Sequence, residues 1–454
     1  MAYNTYRADL LEAFGADELT SAEMRKAIDE WFRLYYQTEP TADEDPSQRL
    51  PVTIVKRLTD AVFAEYSTTA ADPSVQKVLD NIQALSRKIM QTCMIGGEVL
   101  VKVDVVEDGY SFTPIRRDRF MVFGRDVNGR PSDVGTISRS SVGSWYYTLT
   151  ERRTVDTRGR LRIVTKLYQS RVEGQLGRRV PLRTLSQYED IPDEYIFPEP
   201  VGGLLMGWMR VPEENCVDGG EDGCSVFAPA VGLIHQINHN ERLISQEFDL
   251  SRKRVFAPDD VLRTRDVGTG RVKELRDDLF VRLDSDPDEG GITVFSPEIR
   301  YQPYHERKRE YLRNVESICE LQRGLLYDVD AAERTATEIL DSKGGYALTL
   351  RALQDAWTSL LLDLVGVCLT LGRLYHIPGT PSEIIPDSIS IDFGNGVLYD
   401  EDKEWNALLD LHARGLLAPE YLLGWHFGDP SDTPADRQRI REKYMPTISD
   451  LDAE

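Results

Sequence analysis

Two histidines four residues apart, His235 and His239 in the stretch HQINH, are the residues of this chain closest to a metal-site pattern. At that spacing both rings share a helix face and could bind one zinc ion. A zinc peptidase needs a glutamate beside the first histidine as general base, where this chain has Gln236, and no obvious third ligand follows downstream. The expected role is a pair of polar groups on an interface helix, with zinc-dependent peptidase chemistry as the catalytic alternative. Asp284, Asp286 and Asp288 in DSDPDEGG imitate the first half of a calcium loop. Glu289 replaces the glycine of position six, Pro287 holds position four, and Phe295 stands where the bidentate glutamate belongs. That stretch reads as a solvated acidic turn.

No GxxxxGK[ST] phosphate loop and no GxSxG elbow occurs, so neither an ATP-driven motor nor a serine hydrolase is expected. Cys93, Cys216, Cys224, Cys319 and Cys368 are scattered, odd in number and without a CxxC pair, which predicts reduced thiols, not a disulfide framework or zinc ribbon. The reading is not an enzyme, with no cofactor. Three basic clusters, Arg116–Arg119, Arg252–Arg254 and Glu306–Glu310, are short and interleaved with acids, the pattern of solvated faces. Arg252, Lys253, Arg254, Arg307, Lys308 and Arg309 flank a strand-rich segment, however, and are candidates for contact with a partner or with DNA. The formal net charge is −22. A chain so acidic cannot grip nucleic acid over its whole surface, because that affinity comes from Lys and Arg displacing counterions. It suits a channel wall along which phosphates slide. The N-terminal stretch lacks the pattern of a secretory signal, and no run of about 18 apolar residues suggests a membrane span.

The elements that would position these residues follow from period and punctuation. The first 95 residues read helical, with a capping box at Thr20 and Glu23 and an inward stripe of Met24, Ile28, Trp31, Phe32 and Tyr35. A further amphipathic helix aligns Val75, Leu79, Ile82, Leu85 and Ile89. At Gly96-Gly97 the period changes to that of strands, punctuated by Asp108-Gly109 and Asn128-Gly129 turns and reaching to about residue 212. Residues 227 to 253 return to helix, with Ala230, Ile234, Ile237, Ile244 and Phe248 on one face. Short strands fill 254 to 302. A second helix follows with Leu312, Val315, Ile318 and Cys319 inward and Gly324 as its C-cap. After LLYDVDAAER, Thr335 and Glu338 form another capping box. Tyr346, Leu350, Leu353, Trp357, Leu360, Leu364, Val367, Leu371 and Leu374 then repeat every three or four residues. From Thr335 to Tyr375 one helix would span roughly 60 Å, with Gly344 and Gly345 allowing a kink. The C-terminal part reads helical with a Gly/Pro break.

Four stretches in this order resemble the portal proteins of tailed bacteriophages, in the siphophage branch. They are MRKAIDEWFRLYY, GGEVLVKVDVVEDGYSFTPIRRDRFMVFGRDVNGR, YYTLTERRTVDTRGRLRIVTKLYQS and RTATEILDSKGGYALTLRALQDAW. The resemblance implies an α+β portal fold: a wing (1–226), a first stem helix (227–253), a β-rich clip (254–302), a second stem helix (303–325), a tunnel loop (326–335), a long spine helix with a following strand (336–397) and a helical crown (398–454). It implies a homo-oligomeric ring, typically of twelve subunits, at one capsid vertex of the virion, assembled in the host bacterial cytoplasm. Double-stranded DNA would pass through the ring. The major capsid protein, a scaffold protein, the terminase large subunit and then a head-tail adaptor would be partners, with no membrane involved. The tunnel would be lined by Leu326, Tyr327, Asp328, Val329, Asp330 and Arg334, with Asp328 and Asp330 nearest the DNA. Another head-tail structural protein is the alternative within the same class.

Overall fold

The computed structural model describes residues 2–36, 45–106, 109–251, 300–327, 336–377, 380–381, 388–394, 401–427, 431 and 433–444, with five short strands between 254 and 295. Within 254–295, and at 2, 336–344, 401–404 and 406–407, the description is of backbone only. The chain is of mixed α+β class. It divides into two compact units, Met1–Gly394 and Asn395–Glu454.

The first unit opens with helices α1 (Ala2–Phe14), α2 (Ala22–Tyr36) and α3 (Leu50–Val62). Met24, Ile28, Trp31 and Phe32 are buried as their spacing requires. The cap of α2 lies one residue later than expected. Ser21 Oγ accepts the Met24 amide at 3.1 Å, while the Thr20 hydroxyl accepts from the buried Arg117 guanidinium at 2.8 Å. The single helix expected around residues 75–89 is two, α4 (Pro73–Gln83) and α5 (Ser86–Gly96), because Ser86 Oγ turns back onto the Gln83 carbonyl at 2.8 Å. Asp72 caps α4 by accepting the Ser74 amide at 2.8 Å.

The change of period at Gly96-Gly97 is a sharp corner. Gly97 adopts φ +82° and β2 (Glu98–Val106) begins at the next residue. A Cβ at Gly97 would overlap the Gly223 carbonyl, so two backbones touch there. The strand β2 pairs with β3 (Gly109–Arg116) on one side and with β10 (Met206–Arg210) on the other, all antiparallel. A larger antiparallel sheet runs through β4 (Phe120–Arg125), β5 (Pro131–Val142), β6 (Trp145–Val155), β7 (Arg160–Ser170) and β8 (Arg178–Val180). A further strand, β9 (Glu194–Pro200), also pairs with β7.

Two helices then pack on each other, α6 (Val231–Leu250) and α7 (Tyr301–Ile318). Between them lie β11 (Arg254–Pro258), β12 (Arg263–Arg265), β13 (Val272–Glu274), β14 (Phe280–Leu283) and β15 (Thr293–Phe295). Of these, β11 pairs parallel with β14 and antiparallel with β15, and β12 pairs with β13. The inward stripes are shorter than their period suggests. Phe248 near the end of α6 is 45% exposed and Ile318 at the end of α7 is 46% exposed.

The long helix α8 (Ala336–Leu374) has 39 residues and stays helical through Gly344 and Gly345. Leu350, Leu353, Trp357, Leu360, Leu364 and Leu371 are buried. It packs on α3, α4, β2 and β10. Gly207 in β10 permits this, since a Cβ there would overlap Leu360 and Leu364. Trp357 is enclosed edge-on by Phe63 and Tyr66 at 5.1 and 6.2 Å between ring centroids. By length and composition Gly345–Leu374 could cross a membrane, a stretch not evident as a continuous apolar run. Half of its most apolar window is buried within the chain, which makes it equally a core helix. Finally β16 (Ile389–Asp392) pairs with β1 (Ser67–Ala70). The second unit contains α9 (Glu401–Ala413), α10 (Pro419–Phe427) and α11 (Pro434–Tyr444), with the buried Glu420 bonded by Arg441 across α10 and α11.

Candidate functional site

The best-organised polar construction begins with α6 and α7 and ends in the turn that leads to residue 328. At the strand end of the pair, Arg300 grips Glu247 through two parallel bonds of 3.0 and 2.9 Å, and this holds the Glu247 carboxyl below the usual carboxylate range. Midway, Asn240 Nδ2 donates to the Tyr304 carbonyl at 3.1 Å, and Lys308 meets Glu241 at 2.5 Å. The pair is therefore pinned beside the 254–295 insertion and again midway along the two helices.

At its other end α7 stops at Ile318, six residues before the expected Gly324. Glu320 takes the left-handed conformation (φ +49°), the Glu320 amide reaches the Ser317 carbonyl and the Leu321 amide reaches that of Glu316 at 2.8 Å. This is a Schellman closure with a non-glycine residue at its left-handed position, which costs roughly 1–2 kcal/mol. The side chain of Glu316 is fully buried and accepts the amides of Gly324 at 3.1 Å and Leu326 at 2.7 Å. Burial pushes its carboxyl above the ordinary value, against the lowering effect of those amide bonds. A single carboxylate thus sets the shape of residues 323–327. The helical period does place Glu316 on the inward face, four residues after Leu312 and three before Cys319; a charged residue there was the available signal, and its amide partners were not.

The candidate residues fall as follows. Leu326 and Tyr327 lie in the turn held by Glu316, both half-buried. Asp328, Val329, Asp330, Arg334 and Thr335 lie outside the described residues, as do Arg252 and Lys253. Arg254 begins β11, opposite Phe295. Glu338 and Gly344 are in the helical backbone of α8, and around a Cβ placed at Gly345 there is open space. On α7, Arg307 donates to Tyr311 at 2.8 Å, Lys308 is engaged by Glu241, and the Arg309 guanidinium lies 5.9 Å from the Tyr327 ring centre. Arg309 and Tyr327, from two separately proposed groups, are thus brought together.

His235 and His239 do not converge on a metal geometry. His235 Nε2 lies 2.8 Å from Glu30 of α2, and His239 Nδ1 lies 3.4 Å from Asp45, which also receives Arg242 at 2.7 Å. The His235 bond, with help from Arg33 and against burial, holds the Glu30 carboxyl down at about 2. Among the described residues no group of three His, Cys, Asp or Glu side chains could hold a metal ion.

The Arg116–Arg119 cluster, expected to be a solvated face, is the opposite. Arg117 and Asp118 are fully buried. Arg117 donates to the Thr20 hydroxyl and, at 3.0 Å, to the Phe120 carbonyl, and it pairs with Glu98 at 3.3 Å and Asp222 at 3.2 Å. Arg125 bonds both acids as well, at 3.1 and 2.7 Å. This network ties the residue leading into α2, β2, β4 and the loop at 211–227 together. A recess of about 860 Å³ lies between α8 and the β4–β5 and β6–β7 hairpins; across it Arg130 meets Asp363, and its described lining carries no nucleophile paired with a base.

No protein-family model matches the chain, and no curated protein matches it. Among solved structures, a chain from the neck of a native GTA particle, computed with C12 symmetry, is similar over 92% of this chain and 97% of that one, at 14% identity and a TM-score of 0.45. Likeness at that level carries no functional conclusion.

Proposed function

We propose that this chain is a structural head-tail connector subunit, and specifically a portal protein: copies associate head-to-tail into a ring, twelve in the family it resembles, at one capsid vertex. DNA would be packaged and ejected through that ring. The observation that carries the reading is the order of elements from 231 to 374: helix, strand-rich insertion, a returning helix packed on the first, a tightly held turn, then a 39-residue helix. The four ordered sequence stretches support it independently. In this reading α6 and α7 are the stem, β11–β15 belong to the clip, residues 326–335 are the tunnel loop, α8 is the spine of the wing, and the second unit is the crown.

The chemistry required is physical, not catalytic. Head-to-tail contacts close only when the rotation per subunit is right, which the rigid pinning of α6 to α7 favours. A charge of −22 per subunit keeps duplex phosphates from adhering to the wall. Asp328 and Asp330 would face the duplex, while Arg309, Arg334 and the clip-flanking Arg252, Lys253, Arg254, Arg307 and Lys308 would supply local phosphate or partner contacts. The clip would dock the terminase large subunit first and the head-tail adaptor later; the wing would meet the major capsid protein and a scaffold protein.

Light scattering with negative-stain imaging tests the reading. Twelve chains of 51.6 kDa make a particle of about 620 kDa with a central hole. A species that stays monomeric, and forms no ring even when co-expressed with its capsid protein, would overturn it. Asp328→Asn with Asp330→Asn should then alter DNA retention while the ring still assembles.

A further inference from the structure

Three of the five thiols gather at one place that the proposed function leaves unused. Cys216, Cys224 and Cys319 line a single cavity of about 250 Å³ between the loop at 211–226, the end of α7 and α8. Cys216 is exposed, whereas Cys224 and Cys319 are 1% and 8% exposed. The loop CVDGGEDGC curls around Asn215, whose side-chain oxygen accepts the amides of Val217 and Asp218 at 2.9 and 3.1 Å and the Cys224 thiol at 3.3 Å. The Cys224 sulfur is thereby anchored to the side chain of the residue just before Cys216, and both cysteines line the same cavity. Gly219, at φ +69°, supplies one of the bends that return the chain.

We propose that Cys216 and Cys224 are a redox pair, in which an oxidant reaching solvent-exposed Cys216 closes the two into one intrachain disulfide. Cys216 adds to the oxidant and Cys224 displaces it, so two thiols lose two protons and two electrons and one S–S bond forms. With the azo compound diamide, the electrons and protons go to its N=N bond, which becomes a hydrazine. Cys216 is the thiol the oxidant meets because it is the exposed one, and the buried Cys224 is left as the resolving group. The closed loop carries Asp222, the partner of Arg117 and Arg125, and Asp218, the partner of Ser21. Oxidation would therefore lock the strap that joins α2 to β2 and β4. Cys93 and Cys368, each buried elsewhere, would take no part.

The test is diamide treatment of the folded full-length protein, followed by alkylation under denaturing conditions and peptide mass mapping. Three alkylated thiols and a linked Cys216–Cys224 peptide are expected, together with a thermal transition that rises on oxidation and returns on reduction. Cys216→Ser, at an exposed side chain, should retain all its thiols, while Cys319→Ser should still form the link. Five alkylated thiols in the treated wild type, a link from Cys216 to Cys319, or a link only between chains would overturn the proposal. None of these outcomes depends on the ring.

Discussion

Glu316 offers the most informative perturbation. Its buried carboxylate accepts two amides of the turn that precedes residue 328. Bonds to a charged acceptor are worth about 1.5–3 kcal/mol each. Glu316→Ala forfeits both, and it also removes the burial cost that raises the carboxyl above its ordinary value. The net is about 2–4 kcal/mol, and it falls on the turn, because Gly324 and Leu326 can find water once the turn opens while α7 remains packed through Leu312 and Val315. At about 1.4 kcal/mol per decade, opening should increase about 30- to 700-fold. Hydrogen exchange followed by mass spectrometry on peptides covering 319–327 measures it. Glu316→Gln, which keeps one acceptor oxygen, should fall between wild type and Ala. Equal exchange in all three proteins, or an increase spread equally over α3 and β2, would refute the role assigned to this carboxylate. If the portal reading is right, the same variants should assemble rings and differ in DNA passage or retention.

Arg117→Met should cost about 3–5 kcal/mol in urea unfolding, since it leaves Glu98 and Asp222 buried with only Arg125 to neutralise them. A loss under 1 kcal/mol would show that the network is already compensated. For Glu30, whose carboxyl is held at about 2 in the folded protein, the stabilising contribution is complete above the ordinary value of 4.5 and is lost as pH falls through 2. Glu30→Gln should therefore flatten the acid limb of a stability–pH profile between about pH 4.5 and 2, and an unchanged limb would rule out the His235 contact as its cause. Gly97→Ala should prevent native folding, with no soluble cooperative unfolding transition, because its Cβ would meet the Gly223 backbone at a left-handed position. Gly219→Ala, where a Cβ meets nothing, isolates the conformational part and should cost only about 1–2 kcal/mol.

Much of the architecture was legible because its signals are local. The apolar period of α2 and α8, the Gly96-Gly97 corner and the glycine turn at Gly129 each depend on residues within a few positions of one another. The order of helix, insertion, helix and long helix follows from such signals, and so does the acidity that disfavours general nucleic-acid binding. What depended on distant partners was not legible. Thr20 looks like a helix cap in its own neighbourhood, yet its hydroxyl serves Arg117, 97 residues away. Arg117 itself looked like part of a solvated run, and only the approach of Asp222 and Glu98 makes its burial tolerable. Glu316 is decided more subtly, since its partners are only eight and ten residues on. There the chain must first reverse at Glu320 before the amides point back at the carboxylate. Periodicity reports which face of an element is apolar; it carries no information about where a buried charge will find its counter-charge, because that energy exists only once the backbone has brought both groups out of water.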